Sequence, residues 1–115
     1  LITQPIYQPE LACTFLEHYQ QLYGELQTPI LAGILPLASD RHADFLHHEV
    51  PGITIPEPLR QRMRQAGENG LSTGVQIAIE LIEQVRSFAQ GIYLVPAFNR
   101  FDIAAEIIDA VRSKT

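Results

Sequence analysis

Three short apolar runs, each closed by a proline and separated from the next by helical sequence, constrain the fold more than any other feature. The runs are Leu1 to Gln4, Pro29 to Leu35 and Ile92 to Val95. Proline cannot donate a hydrogen bond to a neighbouring strand, so the proline after each run marks a strand end. Strands that are joined through helices pair in parallel, with right-handed crossovers. The sequence therefore predicts an α/β fold built on a parallel sheet.

Amphipathic helices are predicted wherever apolar residues recur at spacings of three and four. Five such segments have recognisable ends: the first begins at Pro9 and ends at Gly24, the second is capped by Ser39 or Asp40, the third spans Leu59 to Ala66, the fourth follows Gly70 and ends near Gly91, and the last follows Asp102 as its cap. The predicted order is therefore strand, helix, strand, three helices, strand, helix.

Composition excludes several classes of protein. A chain of 115 residues, 46% hydrophobic and 18% charged, holds one domain with a real core and is not intrinsically disordered. Its formal charge of -5 argues against binding to nucleic acid or to anionic lipid. No apolar stretch approaches the roughly 18 residues that span a bilayer. Cys13 is the single cysteine, so no intrachain disulfide can form, and the expected location is the cytoplasm.

Candidate binding residues follow the predicted strands. The carboxyl ends of parallel strands carry the site in such folds, because the loops between strand and helix converge there. The Gln4 amide can donate and accept at once and so recognise the edge of a heterocycle. Arg100 can pair with a carboxylate or stack on an aromatic ring. A structural turn contact for Gln4, and an ion pair of Arg100 with Asp102 or Glu106, are the alternatives that the sequence leaves open.

Other tempting motifs have simpler structural interpretations. The glycines at 67, 70 and 74 do not follow a strand and lack the Lys-Ser/Thr pair of a phosphate-binding loop. His47 and His48 are adjacent on a predicted helix, about 100° apart, and cannot hold one ion from one face. Ser39 is explained as a helix cap rather than as a nucleophile. No metal site and no catalytic residue is predicted within the chain.

The predicted sheet is incomplete, because three parallel strands leave two apolar edges that invite further pairing. An open doubly wound sheet or a closed eight-stranded barrel of about 250 residues would complete it. Hydrophobic periodicity does not choose between these two architectures.

Four segments of the chain resemble the methylenetetrahydrofolate reductase family, in the family's order and spacing. They are ITQPIY at 2–7, ILAGILPLAS at 30–39, VPGITIPEPLRQRM at 50–63 and GIYLVPAFNRFD at 91–102. Within the family, the reductase part of bifunctional homocysteine S-methyltransferase/5,10-methylenetetrahydrofolate reductase proteins is the most similar. The resemblance implies a (β/α)8 TIM barrel in which the three runs are strands 6 to 8. Residues 1–115 would then be a C-terminal segment of the barrel domain.

The resemblance also implies a reaction of one-carbon metabolism and methionine biosynthesis. In the family, NAD(P)H reduces FAD, and the flavin passes hydride to 5,10-methylenetetrahydrofolate to give 5-methyltetrahydrofolate. Gln4 matches a glutamine that binds the folate ring system and the nicotinamide, and Arg100 matches an arginine near the substrate. His42 stands where some relatives have a substrate-contacting glutamine. Leu46 stands where some have a phenylalanine against the aminobenzoyl group of folate.

The family's flavin contacts and its acidic residues lie upstream of the sixth strand. The resemblance therefore implies an oxidoreductase whose isolated 115-residue segment is inactive. Its expected partners are a folate substrate and the remainder of the barrel or a second copy in a homo-oligomer. The alternative is a self-contained, non-catalytic binding or oligomerisation module derived from the same barrel.

Overall fold

The computed structural model describes residues 2–24, 29–51, 53–95 and 100–112, without the side chains of Ile2, Gln4 and Phe101. Strands and helices alternate in these ranges as β1 (Ile2–Pro5), α1 (Pro9–Tyr23), β2 (Leu31–Ile34), α2 (Asp40–Glu49), α3 (Glu57–Ala66), α4 (Gly70–Val85), β3 (Gly91–Leu94) and α5 (Phe101–Arg112). A 3-10 turn at Gly67–Asn69 joins α3 to α4. The alternation confirms the predicted α/β fold.

The sheet is parallel, and its strands lie side by side in chain order, β1-β2-β3. Strands β2 and β3 pair in regular register from Leu31↔Gly91 to Ile34↔Leu94. The pairing of β1 with β2 shifts between Ile2 and Pro5. All carboxyl ends of the described strands therefore meet at the same edge, which we call the carboxyl edge of the sheet.

The hydrophobic core lies between one face of the sheet and the helices. Ala32 and Ile34 point into it and are 0% exposed. Helix α4 is the central helix of this layer, because it contacts α1, α3, α5 and β2. The core side chains with the least exposure come from β2, α3, α4, α5 and the loops before α2 and α3: Ile34, Leu37, Ile55, Met63, Ile77, Ile82, Val85 and Ile107.

The helix boundaries on the two sides of β3 differ from their predictions. Helix α4 ends at Val85 and not near Gly91, because the chain must turn back to the sheet before β3. The N–H groups of Gln90 and Gly91 both donate to the carbonyl of Ile30, at 3.0 and 3.3 Å, and bring the chain into the ladder. Helix α5 begins at Phe101, so Asp102 lies in its first turn and is not the cap.

The start of α2 confirms the predicted cap. The Ser39 hydroxyl oxygen accepts a hydrogen bond from the N–H of His42 at 3.1 Å, which satisfies one of the free donors of the first turn. Helix α3 begins at Glu57, two residues before the predicted start at Leu59, with Pro58 in its first turn where a missing N–H is tolerated.

Part of the apolar surface stays exposed on α1. Leu11, Phe15 and Leu22 are 58%, 66% and 74% exposed and follow one another along one side of the helix. The strand order leaves β1 and β3 at the two edges of the described sheet. Among the described helices, none has the length and apolar character needed to cross a membrane.

Candidate functional site

Tyr7 ties the ends of β1 and β2 together at the carboxyl edge. Its side chain is 4% exposed, and its hydroxyl donates to the carbonyl of Leu35 at 2.7 Å. The N–H of Ile6 donates to the carbonyl of Gly33 at 2.9 Å. Burial raises the pKa of the Tyr7 hydroxyl, so the group stays protonated and remains a donor. The edge is therefore held by bonds that continue past the last ladder pair.

The loop after β2 rests on the N-terminal half of α4. A Cβ on Gly70 would lie 2.7 Å from the carbonyl oxygen of Ala38, and one on Gly74 would overlap the carbonyl oxygen of Leu37. Real Cβ atoms do not approach backbone this closely. The two glycines that resemble part of a phosphate loop thus serve to pack α4 against the loop at the carboxyl edge.

His42 fixes the same loop from the side of α2. Its Nδ1 atom accepts a hydrogen bond from the N–H of Ala38 at 3.0 Å. Burial lowers the pKa of His42, which favours the neutral ring that this acceptor role requires. A neutral imidazole that accepts at Nδ1 carries its proton on Nε2.

Arg100 reaches the loop after β2 from the side of α5. It borders a small cavity whose other lining residues are Pro36, Leu37, Ala38, Leu71 and Ile103. Its guanidinium donates to both oxygens of Asp102, at 3.1 Å from Nε and 3.0 Å from Nη2. This exposed pair raises the pKa of Arg100 and lowers the pKa of Asp102. The ion pair with Asp102 that the sequence left open is present.

The structure brings two of the four predicted binding residues to one place. His42 and Arg100 both border the segment Pro36 to Ala38. Leu46 lies one helical turn beyond His42, is 6% exposed and belongs to the core. The backbone of Gln4 lies in β1 at the carboxyl edge, and its side chain is outside the described parts. Substrate contact by these residues stays a prediction.

Sequence reasoning missed two contacts that shape this edge. The hydroxyl of Tyr93 donates to the carbonyl of Thr3, across the full width of the described sheet. The Nδ1 atom of His47 accepts from the N–H of Ile55 at 3.0 Å and fixes the segment before α3. The Tyr93 contact joins residues 90 apart in the chain, and its sequence signal is a glycine in the middle of β2, at Gly33. The His47 contact joins residues eight apart across the end of α2.

Two grooves lie near Tyr7. One, of about 180 Å³, is at the end of β1 and is lined by Pro5, Ile6, Tyr7, Gln8, Leu11, Ala12 and Thr54. The other, of about 170 Å³, lies between α1, α3 and α4. Both are smaller than the roughly 300–1,000 Å³ of typical ligand pockets.

The described residues do not fit a complete FAD site. Neither groove could hold a dinucleotide, and several arginines that could bind phosphates are paired with carboxylates: Arg60, Arg62, Arg64, Arg86 and Arg100. Within the part of the chain that the structure covers, no three His, Cys, Asp or Glu side chains cluster as metal ligands would.

Comparisons with known proteins agree with this architecture. The sequence model of the methylenetetrahydrofolate reductase family matches residues 1–112. A search of curated proteins gives no match. One similar solved structure is an uncharacterised protein from Clostridium thermocellum that binds two copies of 5-methyl-5,6,7,8-tetrahydrofolic acid, with a TM-score of 0.58 and 24% identity. The match covers 98% of this chain and 42% of that protein, so this chain spans less than half of it.

That structural likeness supports the fold, whereas the family match rests on the sequence itself. The family match extends over nearly all of the chain and includes both the loop after β2 and the segment that carries Arg100. The chain therefore belongs to the methylenetetrahydrofolate reductase family.

Proposed function

We propose that this chain forms strands 6 to 8 of a (β/α)8 barrel that reduces 5,10-methylenetetrahydrofolate to 5-methyltetrahydrofolate with NAD(P)H and FAD. The observation that carries the proposal is the family match over residues 1–112, and the strand order β1-β2-β3 is that of consecutive strands in such a barrel. One half of a doubly wound sheet has the same strand order, and both architectures bind ligands at the carboxyl ends of their strands, so the family match is what favours the barrel. Family membership supports the reaction class, and the folate-binding structural neighbour supports a folate ligand.

In this proposal the chain binds and orients the folate. Gln4 hydrogen-bonds the pterin edge, since an amide offers a donor and an acceptor side by side. Arg100 binds a carboxylate of the ligand in the bidentate geometry that it already forms with Asp102. His42 holds the loop beneath the ligand, and Leu46 offers the small part of its surface that the core leaves open.

Flavin, when bound to the whole barrel, supplies the hydride chemistry, which belongs to the cofactor. The proton donor and the flavin contacts are proposed to lie in the part of the barrel that precedes strand 6. The isolated chain should then neither retain FAD nor oxidise NADH.

The test compares the purified 115-residue chain with the longer protein that contains it. We expect FAD retention and NADH oxidation only in the longer protein. Flavin-dependent NADH turnover by the short chain would overturn the proposed division. In the longer protein, Gln4→Glu should change both the folate and the NADH kinetics. Unchanged kinetics would exclude Gln4 as a contact and favour another flavin or pterin barrel.

A second candidate is a self-contained binding or oligomerisation module. The exposed side of α1, with Leu11, Phe15 and Leu22, favours it, because such a surface suits a contact between copies. Light scattering with thermal melting separates the two proposals. A defined monomer or dimer that melts cooperatively supports the module, whereas heterogeneous association supports an incomplete barrel.

A further inference from the structure

Gln4 lies in a bulge of β1. The paired residues are Ile2↔Leu31 and Pro5↔Gly33, so Thr3 and Gln4 together lie opposite Ala32. Such an extra residue bends the strand and re-aims the side chains at that point, and it occurs often beside active sites. The backbone of Gln4 therefore depends on the geometry of this bulge.

The bulge is held by contacts that reach it from both other strands. The Thr3 hydroxyl oxygen accepts from the N–H of Gly33 at 2.9 Å. The Tyr93 hydroxyl, from β3, donates to the carbonyl of Thr3. That carbonyl belongs to the planar peptide unit that links Thr3 to Gln4. A hydrogen bond to the Thr3 carbonyl therefore fixes the plane of the peptide unit that precedes Gln4.

Gly33 makes the long reach of Tyr93 possible. The two residues are register partners on neighbouring strands. A Cβ on Gly33 would lie 2.6 Å from the hydroxyl oxygen of Tyr93 and 2.8 Å from its Cζ. The aromatic ring thus passes over Gly33, and only a residue without a side chain leaves room for it there. Ile34 and Leu94, the next residues along, pack with the core on the helix side.

We infer that Tyr93 is a positioning residue, which acts across Gly33 to hold the backbone of the β1 bulge in which Gln4 lies, and so acts on folate binding through Gln4. The inference rests on the proposed function, since it assigns Gln4 a ligand. Tyr93 itself need not touch the folate.

Hydrogen exchange of the chain tests whether Tyr93 holds the bulge. Tyr93→Phe keeps the ring and removes the hydroxyl. The amides of Gly33 and Ile6 should then exchange about tenfold faster, as loss of one hydrogen bond of ordinary strength predicts. Tyr23→Phe, at a tyrosine on α1 that is 74% exposed, is the matched control and should change neither amide. Unchanged exchange in Tyr93→Phe would overturn the inference.

Kinetics of the longer protein test whether the bulge acts through Gln4. Tyr93→Phe should raise the folate KM about tenfold and leave the FAD content unchanged. Gly33→Ala, which displaces the ring, should have an effect in the same direction. In a Gln4→Ala background, Tyr93→Phe should have no further effect, because residues that act as one unit are not additive. A merely structural role would give the same loss in both backgrounds and would overturn the inference.

The two measurements separate the inference from the proposed function. Faster exchange together with coupled kinetics supports both. If Gln4→Ala leaves the folate kinetics unchanged, the binding role of Gln4 fails and the inference fails with it, even where exchange shows that Tyr93 holds the bulge. If Gln4→Ala is damaging but Tyr93→Phe changes neither exchange nor kinetics, the inference alone fails.

Discussion

Polar side chains at the carboxyl edge hold backbone groups in place. Tyr7 binds the carbonyl of Leu35, His42 binds the N–H of Ala38, and Tyr93 binds the carbonyl of Thr3. An unpaired polar group that is buried costs about as much as a lost hydrogen bond. Among the described residues, no buried side-chain nitrogen or oxygen lacks a partner. The loops after β1 and β2 are therefore held by hydrogen bonds within the chain.

Acid should weaken this arrangement through two histidines. His42 and His47 each accept a backbone N–H at Nδ1, and protonation removes that acceptor. Burial lowers the pKa of His42. Desolvation lowers the pKa of His47, and the positive charges of Arg60 and His48 lower it further. The carboxylates of Asp44 and Glu57 raise the pKa of His47 and so oppose this shift.

Because the folded-state pKa values lie below the unfolded value of about 6.5, the unfolded chain takes up protons first as pH falls. The stabilisation is thus complete above about pH 6.5 and is lost as pH falls through the lower folded-state values. Urea unfolding between pH 7.5 and pH 5 should show this decline. His42→Asn with His47→Asn should flatten it, since an amide oxygen still accepts. His18→Asn, at an exposed site on α1, should leave it unchanged.

Gly74 should tolerate no side chain. Gly74→Ala would place a methyl group on the carbonyl oxygen of Leu37, so α4 must move away from the loop after β2. We expect a loss of about 3 kcal/mol in the free energy of unfolding. Ser72→Ala, at an exposed position on the same helix, should change it by less than about 0.5 kcal/mol. Equal stability of the two variants would show that this contact is not tight.

At the scale of the elements, α4 organises the layer of helices. It packs on β2 and contacts α1, α3 and α5. Helix α3 is joined to it by Met63, 1% exposed in the core, and by the Arg62–Glu80 pair, whose nitrogen and oxygen atoms lie 2.7 and 2.9 Å apart. That ion pair is more than one third exposed, so solvent screens it and it contributes at most about 1 kcal/mol. Burial of apolar side chains is therefore the main stabilising contact between α3 and α4.

Met63→Ala tests this assignment. The substitution leaves a cavity between α3 and the core, and we expect the free energy of unfolding to fall by about 2–5 kcal/mol. Gln61→Ala, exposed on the same helix, serves as the control, with an expected change below about 0.5 kcal/mol. Chemical denaturation of both variants measures the difference. A loss below 1 kcal/mol at Met63 would contradict the packing described.

At the scale of the whole molecule, apolar surface is left without a partner. Three large apolar side chains on one side of α1 are each more than half exposed, and the strand order leaves two edges in the described sheet. In the proposed barrel, neighbouring strands and helices would cover these surfaces. A short chain that presents them should instead associate with itself.

Charge on α1 should suppress that association. Phe15→Glu with Leu22→Glu places two carboxylates on the exposed side, where they should not disturb the core. Light scattering should then show a smaller mean size at the same concentration. Gln20→Glu with Gln21→Glu adds the same charge at exposed polar positions and should have little effect. An equal reduction in both variants would assign the effect to net charge rather than to the apolar surface.

The sequence by itself determined the α/β class, the approximate bounds of the described strands and of the described helices except the end of α4, a cap for α2 at Ser39 or Asp40, and the family. These features depend on local signals: hydrophobic periodicity, proline, capping groups and motif spacing. Such signals act between residues that are near one another in the chain, so they can be recognised without knowledge of the fold.

Tertiary structure alone decided the register between strands, and with it the arrangement of the site. Thr3 and Tyr93 are 90 residues apart, yet their contact exists because Gly33 lies between them in the sheet. The early end of α4 and the close approach of Gly74 to Leu37 likewise depend on where the helix meets β2. Each of these contacts is a steric fit between segments that are distant in the chain. Local sequence patterns do not specify how close such segments come in space.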